Sequence, residues 1–391
     1  AYMIRRARGY VPMALPLPDG GPPLIALGAQ QKSTVCLYQG GYAYPSTEIG
    51  DLDSVEAMDV YQEIVEDMQS LLRIQPKLAV CDMHPGYAST QKAAELSIPV
   101  LPVQHHHAHI ASVMAEHGLT EPVIGVAFDG TGYGPDGTVW GGEFLIATPE
   151  SFVRAGHLKP VPLLGSDESV RQGWKSAACL LHDAGIAEPG GDSRLSLVYS
   201  ALSHGVNTIR SSSMGRVFDA ISAMLGICRE SGYDGQGAIE LENTAARYLE
   251  KGGGADVPPF PFHLEEEDGK IVADLSPLVR ELHALAQGDG KPEALAFRFH
   301  VTVGRLIEAV CTALSARYGI RAVALSGGVF LNRLLVEDVV PRLRRAGFTV
   351  YRNRRVSPGD GGVSLGQAYV GLMAKRAKEG KAPCASLSPE S

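Results

Sequence analysis

The chain has 391 residues, 45% of them hydrophobic and 20% charged, which predicts an ordinary folded protein of two or three domains. Its formal net charge of −8 argues against general binding to nucleic acid, because such binding needs a basic surface. The six cysteines form no C-x-x-C pair, so we expect reduced thiols rather than a zinc ribbon or a disulfide framework. No run approaches the roughly 18 apolar residues of a membrane span, and no signal peptide is evident. These features exclude a membrane protein and predict a cytoplasmic one.

The first 23 residues are predicted to be a linker. Residues 9–23 contain five prolines, and proline favours an extended backbone. The abrupt opening on Arg5-Arg6-Ala7-Arg8 is typical of an interdomain connection rather than a natural start. We therefore expect segment 1–23 to follow a preceding domain that this chain lacks.

Two segments share a strand, turn and strand pattern. Residues 24–37 contain Gly28 and small hydroxyl side chains at the bend, and the partner strand lies around 41–44. Residues 123–146 repeat the plan, with Asp129 and Thr131 at the mouth of a glycine-rich turn. Such turns can present backbone N–H groups to a phosphate, although an ordinary hairpin has the same pattern. Their repetition favours a duplicated clamp for nucleotide phosphates.

The segment between these hairpins predicts a parallel sheet. A helix over 52–74, a strand over 78–82, a helix over 90–96 and a strand over 100–103 alternate along the chain. A cluster of histidines follows the last strand directly. It therefore lies at the carboxyl end of a strand, where open α/β sheets bind ligands.

The histidine cluster is the most distinctive chemical feature of the sequence. It contains four histidines within five positions, at His105, His106, His107 and His109. If the following helix extends back to His105, this residue and His109 lie one turn apart on one face and form half of a transition-metal site. The alternative is a solvated helix N-terminus with one or two histidines satisfied in the core.

Residues 165–250 are predicted to be predominantly helical, with glycine-rich loops between the helices. In the segment 211–219, Asp219 lies one helical turn beyond Gly215, within reach of a sugar hydroxyl if the helix faces a cleft. A solvated helix carboxylate is the alternative. Residues 250–275 predict a surface excursion whose acidic run, 265–268, is a solvated face.

The last third of the chain contains two further junctions. A helix over 292–318 and a strand over 322–325 lead into Gly327-Gly328, where a ligand could approach the backbone or the chain could simply turn. After a strand over 348–351, Asp360 precedes a helix that extends to about residue 377, either as a ligand or as a helix cap. Residues 379–391 are predicted to be a disordered tail.

The sequence contains seven distinctive motifs: RRARGYVP (5–12), CDMHPGYAST (81–90), VQHHHAHI (103–110), FDGTGYGPDGTVWGGEF (128–144), SSMGRVFDA (212–220), SGGVFLN (326–332) and SPGDGGVSLGQA (357–368). Together these motifs closely resemble the C-terminal domain of the HypF family of hydrogenase maturation carbamoyltransferases. That domain is similar to the tRNA threonylcarbamoyladenosine transferases. The resemblance implies an α/β, two-lobed fold of the actin, sugar kinase and chaperone ATPase (ASKHA) type, with duplicated mixed sheets flanked by helices. Lobe I would comprise 24–119 plus 361–378, and lobe II 120–360 with a helical insertion over about 165–290.

The resemblance also implies roles for particular residues. The metal ligands, with iron or zinc as the divalent ion, would be His105, His109, Asp129 and Asp360, of which the first three would also be catalytic. The nucleotide-binding residues would be Lys32, Gly130, Thr131, Gly142, Asp219, Gly235, Gly327, Gly328 and Asn332. His106 and His107 receive no assigned role, and the donor set suits iron and zinc equally.

The function implied by the resemblance is carbamoyl transfer. HypF proteins use carbamoyl phosphate and ATP, accompanied by Mg²⁺, to make carbamoyl adenylate, and pass the carbamoyl group to the C-terminal cysteine of the partner HypE. Because the acylphosphatase and adenylate-forming parts are not in this chain, we expect it to bind ATP, AMP or the adenylate and to make adenylate poorly. The alternatives are an O-carbamoyltransferase of a small hydroxyl compound and a non-catalytic ATP-binding scaffold for HypE.

Overall fold

The structure is a computed structural model that describes residues 3–5, 7, 11, 13–165, 171–186, 193–254 and 256–379. Parts of the predicted linker and the predicted tail from residue 380 onward lie outside the described residues. The strands are β1 (Leu15–Pro16), β2 (Leu24–Ala26), β3 (Cys36–Gln39), β4 (Tyr42–Pro45), β5 (Leu78–Asp82), β6 (Val100–Val103), β7 (Val123–Tyr133), β8 (Val139–Ala147), β9 (Phe152–Leu158), β10 (Val161–Leu164), β11 (Thr208–Ser211), β12 (His263–Glu267), β13 (Lys270–Asp274), β14 (Ala322–Ser326) and β15 (Thr349–Arg352).

The α-helices alternate with these strands and account for most of the remaining described residues. They are α1 (Val55–Leu72), α2 (Ala88–Glu95), α3 (His105–His117), α4 (Gly173–Asp183), α5 (Ser193–His204), α6 (Met214–Met224), α7 (Gln236–Glu250), α8 (Ser276–Gln287), α9 (Pro292–Tyr318), α10 (Arg333–Arg345) and α11 (Val363–Glu379). Short 3₁₀-helices cover Gly328–Leu331 and Asp360–Gly362.

The chain divides into two compact units. Unit 1 consists of Ala1–Glu121, Ala147–Phe152 and Asn353–Ser391, and unit 2 consists of Pro122–Ile146 and Val153–Arg352. Asp360, which the sequence-based boundaries placed at the end of lobe II, therefore belongs to unit 1.

The sheet of unit 1 is mixed rather than purely parallel. Its strand order is β1-β4-β3-β2-β5-β6. Strands β2, β5 and β6 are parallel, as the alternation of helices and strands predicts, because α2 connects β5 to β6 as a crossover. The N-terminal hairpin adds the antiparallel strands β3, β4 and β1 to one edge.

Helix α3 begins at His105 because Gln104 caps it. The Gln104 backbone is extended, and its side-chain oxygen accepts a hydrogen bond from the N–H of His107 at 2.9 Å. The helix ends at Gly118, which adopts the left-handed conformation that glycine tolerates. The cap places the histidines in the first two turns, directly after β6.

Helix α11 packs closely against α3 because small residues face each other. A Cβ atom on Gly366 would overlap the carbonyl oxygen of Ala108. The approach to α11 is fixed by Glu116, whose carboxylate accepts hydrogen bonds from the backbone N–H groups of Arg354, Arg355 and Val356 at 2.8–3.0 Å. These contacts bring the segment before α11, which contains Asp360, to the N-terminal part of α3.

The sheet of unit 2 contains strands that the sequence did not predict. Its main order is β12-β13-β9-β8-β7-β14-β15, and β11 pairs with both β10 and β8. The region 165–250 is predominantly helical, as expected, and also contains the short strand β11, whereas the expected surface excursion contains the hairpin β12–β13. The sequence did not predict β11 and β13 because pairing with β8 and β9 stabilises segments whose own sequences have weak strand signals. The acidic run 265–267 on β12 is exposed, as predicted.

The long helix α9 forms much of the core of unit 2. It passes the length and apolarity criteria of a membrane span, contrary to the sequence-based expectation that no run would, and 67% of its most apolar window is buried inside the protein. Leu306, Ile307, Val310 and Leu314 line its buried face. Its apolar character is therefore explained by packing in the core.

Replacement of Gly366 by alanine should disrupt the α3–α11 contact. Because the added methyl group would overlap a backbone oxygen, we expect the free energy of unfolding to fall by about 3 kcal/mol, as measured by urea denaturation. Gly254→Ala is the matched control, since nothing lies within 4 Å of the added atom; its change should stay within about 0.5 kcal/mol. Equal stability of the two variants would contradict the packing argument.

Candidate functional site

The four histidines of α3 are buried, each at most 3% exposed, so the alternative of a solvated helix N-terminus is wrong. The Nε2 atoms of His105 and His109 lie 3.1 Å apart, as one-turn spacing on a helix predicts. An Asp360 carboxylate oxygen lies 3.7 Å from the first of these atoms and 3.6 Å from the second. Gly359, not Asp360, occupies the N-cap position of the adjoining 3₁₀-helix, so a helix cap does not explain Asp360.

Asp82 is a fourth member of this group, which sequence reasoning missed. Its Oδ2 accepts a hydrogen bond from Nδ1 of His105 at 2.8 Å, and both side chains are buried. Its Oδ1 accepts the backbone N–H of His84 at 3.0 Å. Since the Nδ1–H of His105 donates a hydrogen bond to Asp82, the lone pair of the neutral imidazole is on Nε2, which lies 3.1 Å from Nε2 of His109. The sequence signal that could have identified Asp82 is its position at the end of β5. Because β5 pairs in parallel with β6, Asp82 lies at the same edge of the sheet as the histidines that follow β6.

This donor set fits a divalent transition metal. One ligand atom from each of His105, His109 and Asp360 lies within 4.8 Å of the others. Two imidazole nitrogens and a carboxylate oxygen suit iron or zinc, and a carboxylate on the far nitrogen of a ligating histidine is a frequent second partner. Asp129 belongs to unit 2, and its assignment as a ligand stays a prediction.

His106 and His107 are engaged in contacts away from the pair of Nε2 atoms. His106 accepts a hydrogen bond at Nδ1 from the side chain of Gln104 at 3.1 Å. His107 donates from Nε2 to the carbonyl oxygen of Thr148 at 2.8 Å and packs against Phe152. Burial lowers the pKa of His107. These contacts favour a structural role for His107 as a neutral donor.

The sequence placed Asp129 and Thr131 at the mouth of a turn, but both lie within β7, because this strand extends to Tyr133. In unit 2, this part of β7 is built around Asp129. Its Oδ1 accepts the N–H of Gly130 at 2.8 Å and the N–H of Gly328 at 3.2 Å. Gly327 has a φ of +105°, and a Cβ there would overlap the carbonyl oxygen of Phe128. Gly327 is therefore needed for close approach to β7, and a Cβ on Gly328 would lie 3.0 Å from Oδ1 of Asp129, which accounts for both glycines without a ligand.

The start of helix α6 is hydrogen-bonded to the same part of β7. Ser213 caps the helix by accepting the N–H of Arg216, and its hydroxyl donates to the carbonyl oxygen of Gly130. Asp219, one turn further on, is buried and pairs with Arg216 at 3.0 Å, so the alternative of a solvated carboxylate is wrong. Burial raises the pKa of Asp219 although the Arg216 charge opposes this shift. Gly237 lies so close that a Cβ there would be 2.9 Å from Oδ1 of Asp219.

The remaining predicted nucleotide residues have mixed surroundings. Thr131 is exposed. Gly142 donates its N–H to Glu143 at 3.3 Å, and Gly235 adopts a φ of +76° at the start of α7. Lys32, in unit 1, has a φ of +43° and donates its backbone N–H to Asp51 at 2.8 Å. Their contacts with a nucleotide stay predictions.

Asn332 has a clear structural role. Its side-chain oxygen caps α10 by accepting the N–H of Leu335 at 2.9 Å, and its amide nitrogen donates to Nε2 of His300 at 2.9 Å. His300 in turn donates from Nδ1 to the carbonyl oxygen of Ala296 at 2.8 Å. Burial lowers the pKa of His300 to about 4, which keeps it neutral in the folded protein. Contact of Asn332 with adenosine stays a prediction.

Two family models match the chain. Residues 19–116 match the HypF Kae1-like domain, and residues 125–367 match the second subdomain of the carbamoyltransferase Kae1-like domain. The chain belongs to the HypF carbamoyltransferase family. Within the HypF match lie the motifs that contain Asp82, the histidine pair, Asp129 and Asp360.

Named relatives agree with this assignment. The chain is 38% identical to carbamoyltransferase HypF2 of Cupriavidus necator, covering 94% of this chain and 49% of that protein. It is 37% identical to a carbamoyltransferase HypF homolog of the same organism, covering 96% of each chain. The chain thus spans about half the length of the first relative and nearly all of the second.

Solved HypF structures share the fold. A full-length HypF in a phosphate- and nucleotide-bound form superposes with a TM-score of 0.90 at 38% identity, over 97% of this chain and 60% of that one. HypF of T. kodakarensis gives a TM-score of 0.84 at 29% identity, over 96% and 51% respectively. The predicted α/β fold class with duplicated mixed sheets is confirmed.

Asp82→Asn should weaken metal binding in this HypF-family chain. The substitution removes the carboxylate charge and replaces one of the two acceptor oxygens by an NH2 donor, which weakens the orientation of His105, so we expect zinc affinity to fall by about 10- to 100-fold in competition with a chromophoric chelator. The exposed Asp59→Asn is the matched control and should bind like the wild type. Wild-type zinc affinity in a folded Asp82→Asn variant would refute the orienting role.

His300 should make the stability depend on pH. Because the unfolded chain binds a proton near pH 6.5 and the folded chain only near pH 4, stability should fall by about 3 kcal/mol as the pH drops through this window. His300→Gln should flatten the dependence, as measured by urea unfolding at pH 4, 5 and 6.5. His263→Gln, on the exposed strand β12, should retain the wild-type dependence; the same slope in both variants would contradict the assignment.

Proposed function

We propose that the chain is a carbamoyltransferase domain that binds ATP or carbamoyl adenylate and transfers the carbamoyl group to the C-terminal cysteine of HypE. The observation that carries the proposal is the group of three buried residues, Asp82, His105 and His109, with the half-buried Asp360, within a chain that matches HypF over nearly its whole length. The reaction would supply cyanide ligands in NiFe hydrogenase maturation.

The histidine group supports a bound iron or zinc ion. His105 and His109 would hold it through Nε2 and Asp360 through a carboxylate oxygen, and Asp129 is proposed as a further ligand. A divalent metal in such a group supplies Lewis-acid polarisation of a carbonyl or phosphoryl oxygen. Asp82 keeps His105 in the tautomer that leaves Nε2 available.

The part of β7 around Asp129 supports nucleotide binding. It combines an acidic side chain, glycines on both sides and the capped start of α6, and the buried Asp219 lies one turn further along that helix. The neighbouring HypF structure is described as phosphate- and nucleotide-bound. We propose that Asp219 binds the ribose, that Lys32, Gly130, Thr131, Gly142, Gly235, Gly327, Gly328 and Asn332 surround the nucleotide, and that Mg²⁺ accompanies ATP.

The transfer itself is a substitution at the carbamoyl carbon. The partner's cysteine thiolate attacks this carbon and forms a C–S bond, the C–O bond to the phosphate breaks, and AMP leaves with the electron pair. Backbone N–H groups in the glycine-rich segment 128–144 are suited to stabilise the negative charge that develops on oxygen.

The five cysteines that the structure describes are free thiols, in accord with a cytoplasmic location.

Carbamoyl transfer from supplied carbamoyl adenylate to HypE tests this function. The double variant His105→Ala, His109→Ala should transfer at least about 100-fold more slowly, since loss of the polarising group removes several kcal/mol of transition-state stabilisation. His204→Ala, at the exposed end of α5, is the matched control. An unchanged rate in the double variant would remove the metal from the mechanism.

The same assay separates transfer from adenylate formation. When carbamoyl phosphate and ATP replace the adenylate, the chain alone should release pyrophosphate far more slowly than it transfers the supplied carbamoyl group. Pyrophosphate release as fast as transfer would show that adenylate formation does not need the additional half of the longer HypF relatives. Absence of transfer with intact nucleotide binding would favour a scaffold for HypE.

A further inference from the structure

A buried ion-pair network joins β8, β9 and the segment before α6 in unit 2, and the function proposed above assigns it no role. Its centre is Glu143, in the W-G-G-E segment of β8, which is fully buried. Arg154 on β9 donates from Nε to Oε2 of Glu143 at 2.6 Å. Since an isolated buried carboxylate is strongly disfavoured, Glu143 and Arg154 depend on each other.

The second oxygen of Glu143 collects three donors from two segments. Oε1 accepts the N–H groups of Gly141 and Gly142, at 3.2 and 3.3 Å, and the hydroxyl of Ser212. Arg154 also donates to the Ser212 oxygen at 3.1 Å. Glu143 and Arg154 thereby fasten the segment before α6 to the β7–β8 hairpin.

Arg154 is itself held in one orientation. Its guanidinium lies 4.0 Å from the ring centroid of Trp140 and donates to Asp136 at 2.9 Å. Asp136 also accepts the Trp140 Nε1–H at 3.0 Å. The planar fork of arginine matches this set of partners, which a lysine cannot reach at once.

The network acts on the predicted nucleotide residues through Ser213. This residue directly follows Ser212, and its hydroxyl bonds to the carbonyl oxygens of Asp129 and Gly130 while it caps α6. Gly215, in the first turn of α6, approaches Gly130 so closely that a Cβ there would be 2.8 Å from the Gly130 Cα. The position of Ser212 therefore sets both the position of Asp129 and Gly130 in β7 and the start of the helix that contains Asp219.

We propose that Glu143, with Arg154 and Ser212, is a positioning residue for nucleotide binding. Glu143 accepts the backbone N–H of Gly142, a predicted nucleotide residue, and through Ser212 and Ser213 it fixes the distance between Asp129–Gly130 in β7 and α6. This inference rests on the proposed nucleotide binding and assigns a role to the conspicuous G-G-E pattern. It predicts that a substitution in the network weakens nucleotide binding more than an equally destabilising substitution elsewhere in unit 2 does.

The test measures AMP binding by calorimetry and thermal unfolding on the same variants. Glu143→Gln and the milder Ser212→Ala should each raise the dissociation constant of AMP by about 10- to 100-fold, because sub-ångström to 1 Å displacements have effects of this size. Arg154→Lys, which keeps the charge but loses the fork, should fall between these variants and the wild type. The double variant Glu143→Gln, Arg154→Lys should bind no more weakly than the weaker single variant, since the residues act as one unit.

A stability-matched control separates positioning from loss of fold. Leu314→Ala removes a fully buried side chain on α9 and should lower the melting temperature at least as much as Ser212→Ala, yet leave AMP binding within about twofold. If Ser212→Ala binds AMP like the wild type, or Leu314→Ala loses as much affinity, the positioning role is wrong. Failure of the wild type itself to bind AMP or ATP would instead overturn the proposed nucleotide binding, and this inference with it.

Discussion

The close approach of α11 to α3 is the contact on which the histidine group depends. Gly366 lies directly against the backbone of α3 at Ala108, where no larger residue fits. Two helices in such contact have their axes and ends fixed relative to each other, because neither can slide without a clash. Asp360, only a few residues before α11, therefore reaches the histidines with little freedom.

Polar contacts complete this arrangement from both sides. Glu116, at the far end of α3, accepts three backbone N–H groups of the segment that leads into α11. Asp82, at the end of β5, accepts a hydrogen bond from His105 in a buried pair. The histidines are thus preorganised by the helix cap, by the neighbouring strand and by a segment from near the end of the chain. Such preorganisation is what a tight metal site needs, because ligands that are already in place lose little entropy on binding.

In unit 2, a hydrogen-bond network rather than helix packing positions Asp129 of β7 relative to α6. There, the positions of Asp129 and α6 are set by hydrogen bonds that run from a buried ion pair through two consecutive serines. A charged network in a core adds little stability compared with apolar packing, but it accepts only one geometry. This close packing also explains two glycines, because Gly215 lies against Gly130 and Gly328 lies against Asp129, where a side chain would be crowded.

The sequence by itself determined most of the elements and the identity of the main chemical groups. Helical periodicity located α1, α3, α9 and α11, and the one-turn spacing of His105 and His109 predicted a shared face, because these signals depend only on neighbours along the chain. Only the tertiary structure decided which side chains join them. Asp82 and Glu143 were missed, and β10 to β13 were not predicted, since a carboxylate or a weak strand acquires its role from residues far away in sequence. The structure also showed that Asp219 is buried and forms an ion pair with Arg216, which no local pattern could show.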